Sequence, residues 1–182
     1  MSIKDKIGTF FLQKEMLSIS RNKALFNLKD AKTVGILFDA SNKEEFELVK
    51  KYVVYLKELK KKVKTIGYFN SKEIPQMVFS KLEYDFFSQK QLNWYNKPSD
   101  PFIDNFINEE IDILIDLNLN NHFPLKYIAT SSKAKFKVGK YSEKNKTIYD
   151  MLIDYSDTKG LKYFMRQIDI YLNMINNTTL SE

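Results

Sequence analysis

Asp39, Asp116, Asn118, Asn120 and His122 are the side chains whose types and positions could do chemistry. Both aspartates close an apolar run, TVGILFD for Asp39 and IDILID for Asp116. If these runs are neighbouring parallel strands, their carboxylates meet beyond the strands' carboxyl ends, where open α/β sheets hold ligands. Such a pair could bind a magnesium ion or take a proton. Carboxylates in this setting also cap turns and helices, and the residues alone leave both readings open. Asn118, Asn120, Asn121 and His122 form an amide-rich turn after the second run. It suits hydrogen bonding to a sugar, a base or a peptide, or ordinary turn and cap chemistry. His122 is the one histidine, and no Ser or Cys nucleophile motif stands beside it, so a hydrolytic triad is not indicated.

Several chemistries are excluded. The chain has no cysteine, hence no disulfide and no thiolate metal site, and a single histidine leaves no His-rich zinc motif. The turn after TVGILFD reads FDASNKEEF, without a glycine. Backbone that cradles a phosphate must approach it closely, which is glycine's part in dinucleotide-binding and P-loop turns. Neither is expected, and no cofactor or metal is assigned.

The net charge is +6 and unevenly placed. Lys50 to Lys64 carries seven Lys against one Glu, and so does Lys126 to Lys146, whereas Asp100 to Leu117 carries six acids and no Lys or Arg. Of the 29 basic residues only Arg21 and Arg166 are arginine. Lysine gives diffuse attraction to polyanions, where arginine would give bidentate recognition. The candidates for such attraction are Lys60, Lys61, Lys62 and Lys64, with Lys133, Lys135, Lys137 and Lys140. The last four alternate with Ala134, Phe136 and Val138, so a strand here would have one apolar and one cationic face. A charged edge that prevents strand-to-strand aggregation is the competing reading. Trp94 and Tyr95 lie in a polar loop beside Lys97, either as a stacking or partner contact or as a lid on the core.

The elements that must position these residues follow from periodicity. Residues 1–30 read as a basic helical arm in two pieces, Ile3 to Leu17 and Ala24 to Leu28. The arm packs on the domain, lies on an anionic surface or holds a protein partner. TVGILFD is a strand covered on both faces. A helix follows, with Ser41 as N-cap and Glu44 completing a capping box. Further strands are expected at 63–69, 84–88, 111–117, 134–140 and 147–155, with short helices around 74–79, 101–110 and 124–132. Leu161, Phe164, Met165, Ile168, Leu172 and Ile175 mark the last helix, and 177–182 a flexible tail. Strands alternating with helices give a three-layer, Rossmann-like α/β sandwich over 31–176, with a mainly parallel sheet of five or six strands. MSIKDKIGTFFLQKEM holds no long apolar run, so neither a signal peptide nor a membrane span is expected, and the cytoplasm is the expected location.

The string VGILFDAS…FELVKKYVVYLKELKKKVKTIGYFN, with FFSQKQLNWYNKP, FIDNFINEEIDILIDLNL, FPLKYIATSSKAKFKVGKY and LKYFMRQIDIYLNMIN, resembles a family of uncharacterised bacterial proteins, a domain of unknown function. The resemblance spans about residues 20 to 176 and implies no activity. IDILIDLN with AKFKVGKY also looks like part of the acceptor-side domain of heptosyltransferase-like glycosyltransferases, whose second Rossmann-like domain binds the nucleotide sugar. The chain is too short for that second domain, so this likeness speaks for the fold more than the function. The expected function is that of a non-enzymatic cytoplasmic protein binding a polyanion, RNA or a ribosomal particle. The alternative is a sugar- or nucleotide-processing enzyme domain.

Overall fold

The run TVGILFD forms strand β1 (Thr33–Asp39), buried from Val34 to its end. In the computed structural model, which describes residues 3–75, 84–155 and 159–176, β1 is a central strand of the sheet. It is followed by helix α2 (Lys43–Glu58), β2 (Lys62–Phe69), β3 (Asp85–Ser88), α3 (Pro101–Asn108), β4 (Ile113–Asp116), α4 (Phe123–Ser131), β5 (Phe136–Lys140), β6 (Met151–Ile153) and α5 (Gly160–Met174), and preceded by α1 (Ile3–Met16). The six strands lie in the order β3-β2-β1-β4-β5-β6. Every pairing is parallel.

Residue alternation assigns the faces. Val34, Ile36 and Phe38 of β1 join the α2 stripe Phe46, Val49, Val53 and Leu56 and the α5 stripe Leu161, Phe164, Ile168 and Leu172. Leu37 points the other way, among Ile103 and Phe106 of α3 and Leu125 and Ile128 of α4. Both faces are covered, which gives the three-layer α/β, Rossmann-like sandwich.

Local chemistry sets the helix starts. Asp100 caps α3, accepting from Phe102 N–H at 3.3 Å, and Pro101 follows at the first helical position. For α2 the cap is Asn42, whose Oδ1 accepts from the backbone N–H groups of Glu44 and Glu45. The expected Ser41 cap is displaced because the Ser41 hydroxyl is occupied, accepting from Asn70 N–H at 2.9 Å.

The arm departs from expectation in its second half. Ala24 to Leu28 is not helical; Ala24 N–H donates to Lys135 O instead. The Arg21 guanidinium bonds the carbonyls of Ala134 and Lys135 and the carboxylate of Asp150. Leu28 and Ala31 belong to the main core. This stretch is a strap across the sheet's amino edge, and α1 packs separately on α4 through Gly8, Leu12 and Phe123. Most of the short helix expected around 74–79, and the 177–182 tail, lie outside the described residues.

Candidate functional site

The chain order in the sheet reverses between β1 and β4, so the gap between their carboxyl ends is a topological switch point. Leu37 lies opposite Asp116 in the register, and Asp39 therefore stands one side-chain repeat further out on the same face. The two carboxylates take separate hydrogen-bond partners. Asp39 Oδ1 accepts from Ser41 N–H at 2.8 Å, and Oδ2 accepts from the Asn120 amide at 2.9 Å and from His122 Nε2 at 2.8 Å. Burial by itself would raise its pKa, but the bonds from His122, Ser41 and Asn120 outweigh it and hold the carboxyl far below the usual range. Asp116 is fully enclosed and accepts from the Tyr149 hydroxyl and from Asn118 N–H. Burial pushes its pKa up, against those two donors and Lys126; burial and Asp116 together push Tyr149 up.

The turn after β4 joins the two aspartates. The Asn118 side chain clasps His122, accepting from its N–H at 2.9 Å and donating to its carbonyl at 3.0 Å. Asn121 turns the backbone through φ 54°, a left-handed conformation that asparagine tolerates. The His122 ring meets Tyr68 edge-on at 5.5 Å. Burial, with Asp39 and Asp5 nearby, pushes Tyr68 up to about 12, which keeps it a neutral phenol. The turn residues expected to form a site are thus brought together, but as a hydrogen-bonded turn around two separate carboxylates. Among the described residues no group of three or more His, Asp or Glu could hold a metal ion.

This turn borders a cleft of about 1480 Å³ at the sheet's carboxyl edge, with α1 as one wall. Lys4, Lys72, Lys90, Lys126 and Lys144 line it against Asp5 and Glu143. Four of these lysines follow four strands, Lys72 after β2, Lys90 after β3, Lys126 after β4 and Lys144 after β5. Lys126 donates to Asn145 at 2.9 Å, and burial and Lys144 lower its pKa, against Asp116. Gln13, Asn70, Gln89, Asn93, Asn120 and Asn121 supply amides. Trp94, 63% exposed, stands on the cleft wall with its ring at right angles to Phe11 and Tyr95. Tyr95 is half-buried against Phe11 at 4.9 Å, so the loop both covers α1 and presents one aromatic ring.

The lysines singled out from charge counts lie elsewhere. Lys61 donates to the Lys29 and Ala31 carbonyls, Lys64 pairs with Glu109, and Lys135 pairs with Asp112 at 3.1 Å, all at the sheet's amino edge. Lys60, Lys62 and Lys133 are exposed there. The cationic face on β5 does not form, and neither does a charged sheet edge, because β5 is an inner strand between β4 and β6. Lys137 is 2% exposed, its ammonium on the Thr130 carbonyl at 3.0 Å. Burial, with Arg21 and Lys23 against Asp150, lowers its pKa to about 7. Lys140 sits over the Tyr155 ring at 5.0 Å. The acidic run between α3 and β4 is what neutralises this edge. Lys72 and Lys90 lie outside the basic segments of the sequence, and Lys126 and Lys144 bound or lie within one of them without being among its candidates; the signal they share is that each follows a strand.

A parallel six-stranded sheet in this order, with its cleft at the carboxyl edge, defines a Rossmann-like α/β protein. The chain belongs to DUF6913, a family of unknown function whose profile matches residues 4–175. No curated protein and no solved structure matches it. Among the described residues no helix is long and apolar enough to cross a membrane.

Proposed function

We propose that this protein binds single-stranded RNA along the carboxyl-edge cleft. The observation that carries the reading is the convergence on a single cleft of four lysines that follow four different strands: Lys72 after β2, Lys90 after β3, Lys126 in α4 after β4, and Lys144 between β5 and β6. A positive groove with an exposed aromatic ring is the usual composition of a single-strand site: the cations follow the phosphates and the ring stacks on a base. Trp94 is available for stacking, and the Asn and Gln side chains offer donors and acceptors to base edges and riboses. At about 1480 Å³ the cleft exceeds the range of about 300–1,000 Å³ usual for small-ligand pockets. Arginine is absent from its lining, so attraction to phosphate rather than bidentate base reading is expected.

Fluorescence anisotropy with a labelled oligouridylate, titrated across a salt series, tests this. Four or five phosphate contacts predict a log–log slope of about −3. Absence of binding at low salt, or binding indifferent to salt, contradicts the reading.

A further inference from the structure

His122 is held in a way that leaves one ring nitrogen for chemistry. Asp39 is an ionised carboxylate, which can only accept hydrogen bonds, so the nitrogen facing it at 2.8 Å, Nε2, must carry the proton. In the neutral ring Nδ1 then keeps a bare lone pair. Among the described residues Nδ1 has no hydrogen-bond partner, and His122 lines the cleft with its side chain 19% exposed. A carboxylate that fixes the tautomer of an imidazole is the arrangement that makes histidine a general base. The Asn118 clasp and the Tyr68 ring hold the imidazole in place. Lys72, Lys90, Lys126 and Lys144 surround the same space.

We propose that His122 is the general base of a strand-cleaving reaction on RNA bound in this cleft, with Asp39 as its positioning residue; the proposal rests on the RNA-binding reading above. Nδ1 takes the proton of a ribose 2′-hydroxyl as the 2′-oxygen bonds to the adjacent phosphorus. The bond from phosphorus to the 5′-oxygen breaks. That oxygen receives a proton relayed through water from the His122 imidazolium. The products are a 2′,3′-cyclic phosphate and a free 5′-hydroxyl, and no net proton is consumed. Lysines along the cleft offset the charge that builds on the phosphoryl oxygens.

The test uses the full chain with a labelled oligoribonucleotide and its 2′-O-methyl counterpart. Both should bind, and only the first should be cut, giving cyclic phosphate ends. His122→Gln places an amide donor where Nε2 stood, so RNA affinity should persist while cleavage falls about 100-fold or more. Binding without cleavage, cleavage of the 2′-O-methyl strand, or undiminished cleavage by H122Q overturns the proposal. Absence of RNA binding instead overturns the reading it rests on. Nitrogen-15 shifts of His122 should report the Nε2-protonated tautomer in the native chain and lose that preference in Asp39→Asn. A native Nδ1-protonated ring also overturns the proposal.

Discussion

Asp39 Oδ2 accepts from His122 Nε2 at 2.8 Å, tying the end of β1 to the turn that follows β4. Because the same carboxylate holds Ser41 N–H and the Asn120 amide, one side chain fixes both lips of the switch point.

Replacing Asp39 by Ala should leave three donors without their acceptor. Hydrogen bonds to a charged group are worth about 1.5–3 kcal/mol, and an orphaned donor costs a similar amount, so a loss of roughly 2–4 kcal/mol is expected in urea denaturation. The native Asp39 pKa lies below its unfolded value. Its contribution is therefore complete above about pH 4 and fades as the pH falls from there through the folded pKa. Asp39→Ala should flatten that acid limb; a variant with native stability and an unchanged acid limb would show that the network contributes little.

Lys137 should act on the alkaline side, where stability again rises with pH. Its folded pKa, about 7, lies below the unfolded value of about 10.4. Between these values the unfolded chain binds more protons, so stability should rise with pH, by an amount on the order of a few kcal/mol. Lys126, also lowered, works in the same direction. Above about pH 10 the trend reverses, because burial raises the phenols of Tyr52 and Tyr149 and the unfolded chain loses those protons first. Denaturation at pH 7, 8.5 and 10 should show the rise, and Lys137→Met should remove most of it. An equal rise in that variant would assign the effect elsewhere.

Gly8 is where α1 meets the domain. A Cβ there would come within 2.5 Å of the Tyr95 carbonyl and 2.6 Å of the Phe123 ring. Alanine normally favours a helix over glycine by about 1 kcal/mol, yet Gly8→Val should lift α1 off α4, because a backbone carbonyl cannot yield as a side-chain tip can. The helix would lose the Glu15 contacts to Lys97 and Tyr127 and the bond from Asn96 to Asp5. Faster trypsin cleavage after Lys14, with the rest of the chain intact, is the expected result. Unchanged protection would mean that the wall of the cleft adjusts to the added bulk.

The fold was legible because the strands that matter are buried on both faces and show as continuous apolar runs, and because α5 repeats its apolar side chains at helical spacing. The turn from Asn118 to His122 was legible as a turn at the sheet's carboxyl edge for the same reason: it follows an apolar run that ends in an acid. Asn42 in place of Ser41 as the cap depends on Asn70, distant in sequence, occupying the Ser41 hydroxyl. Nothing local to residues 41–44 encodes that competition. The charge pattern misled for a comparable reason. The acidic run and the lysine runs are separate in sequence but meet at the amino edge, as Lys64 with Glu109 and Lys135 with Asp112. A count of charge within one segment cannot register pairing between segments. Lys137 alternates like a surface residue, and only the position of β5 inside the sheet buries it.

The most direct test of the central claim compares two double variants with the same change in net charge. Lys72→Glu with Lys90→Glu alters the cleft; Lys60→Glu with Lys62→Glu alters the amino edge. Affinity for the labelled oligouridylate is measured for both at one salt concentration. With each lost phosphate contact worth on the order of 1 kcal/mol, the cleft variant should bind about 30-fold more weakly. The amino-edge variant should stay within about threefold of the native chain, the residual effect of a long-range field screened by salt. Equal losses in the two variants, or a greater loss at the amino edge, would contradict an RNA site in the cleft.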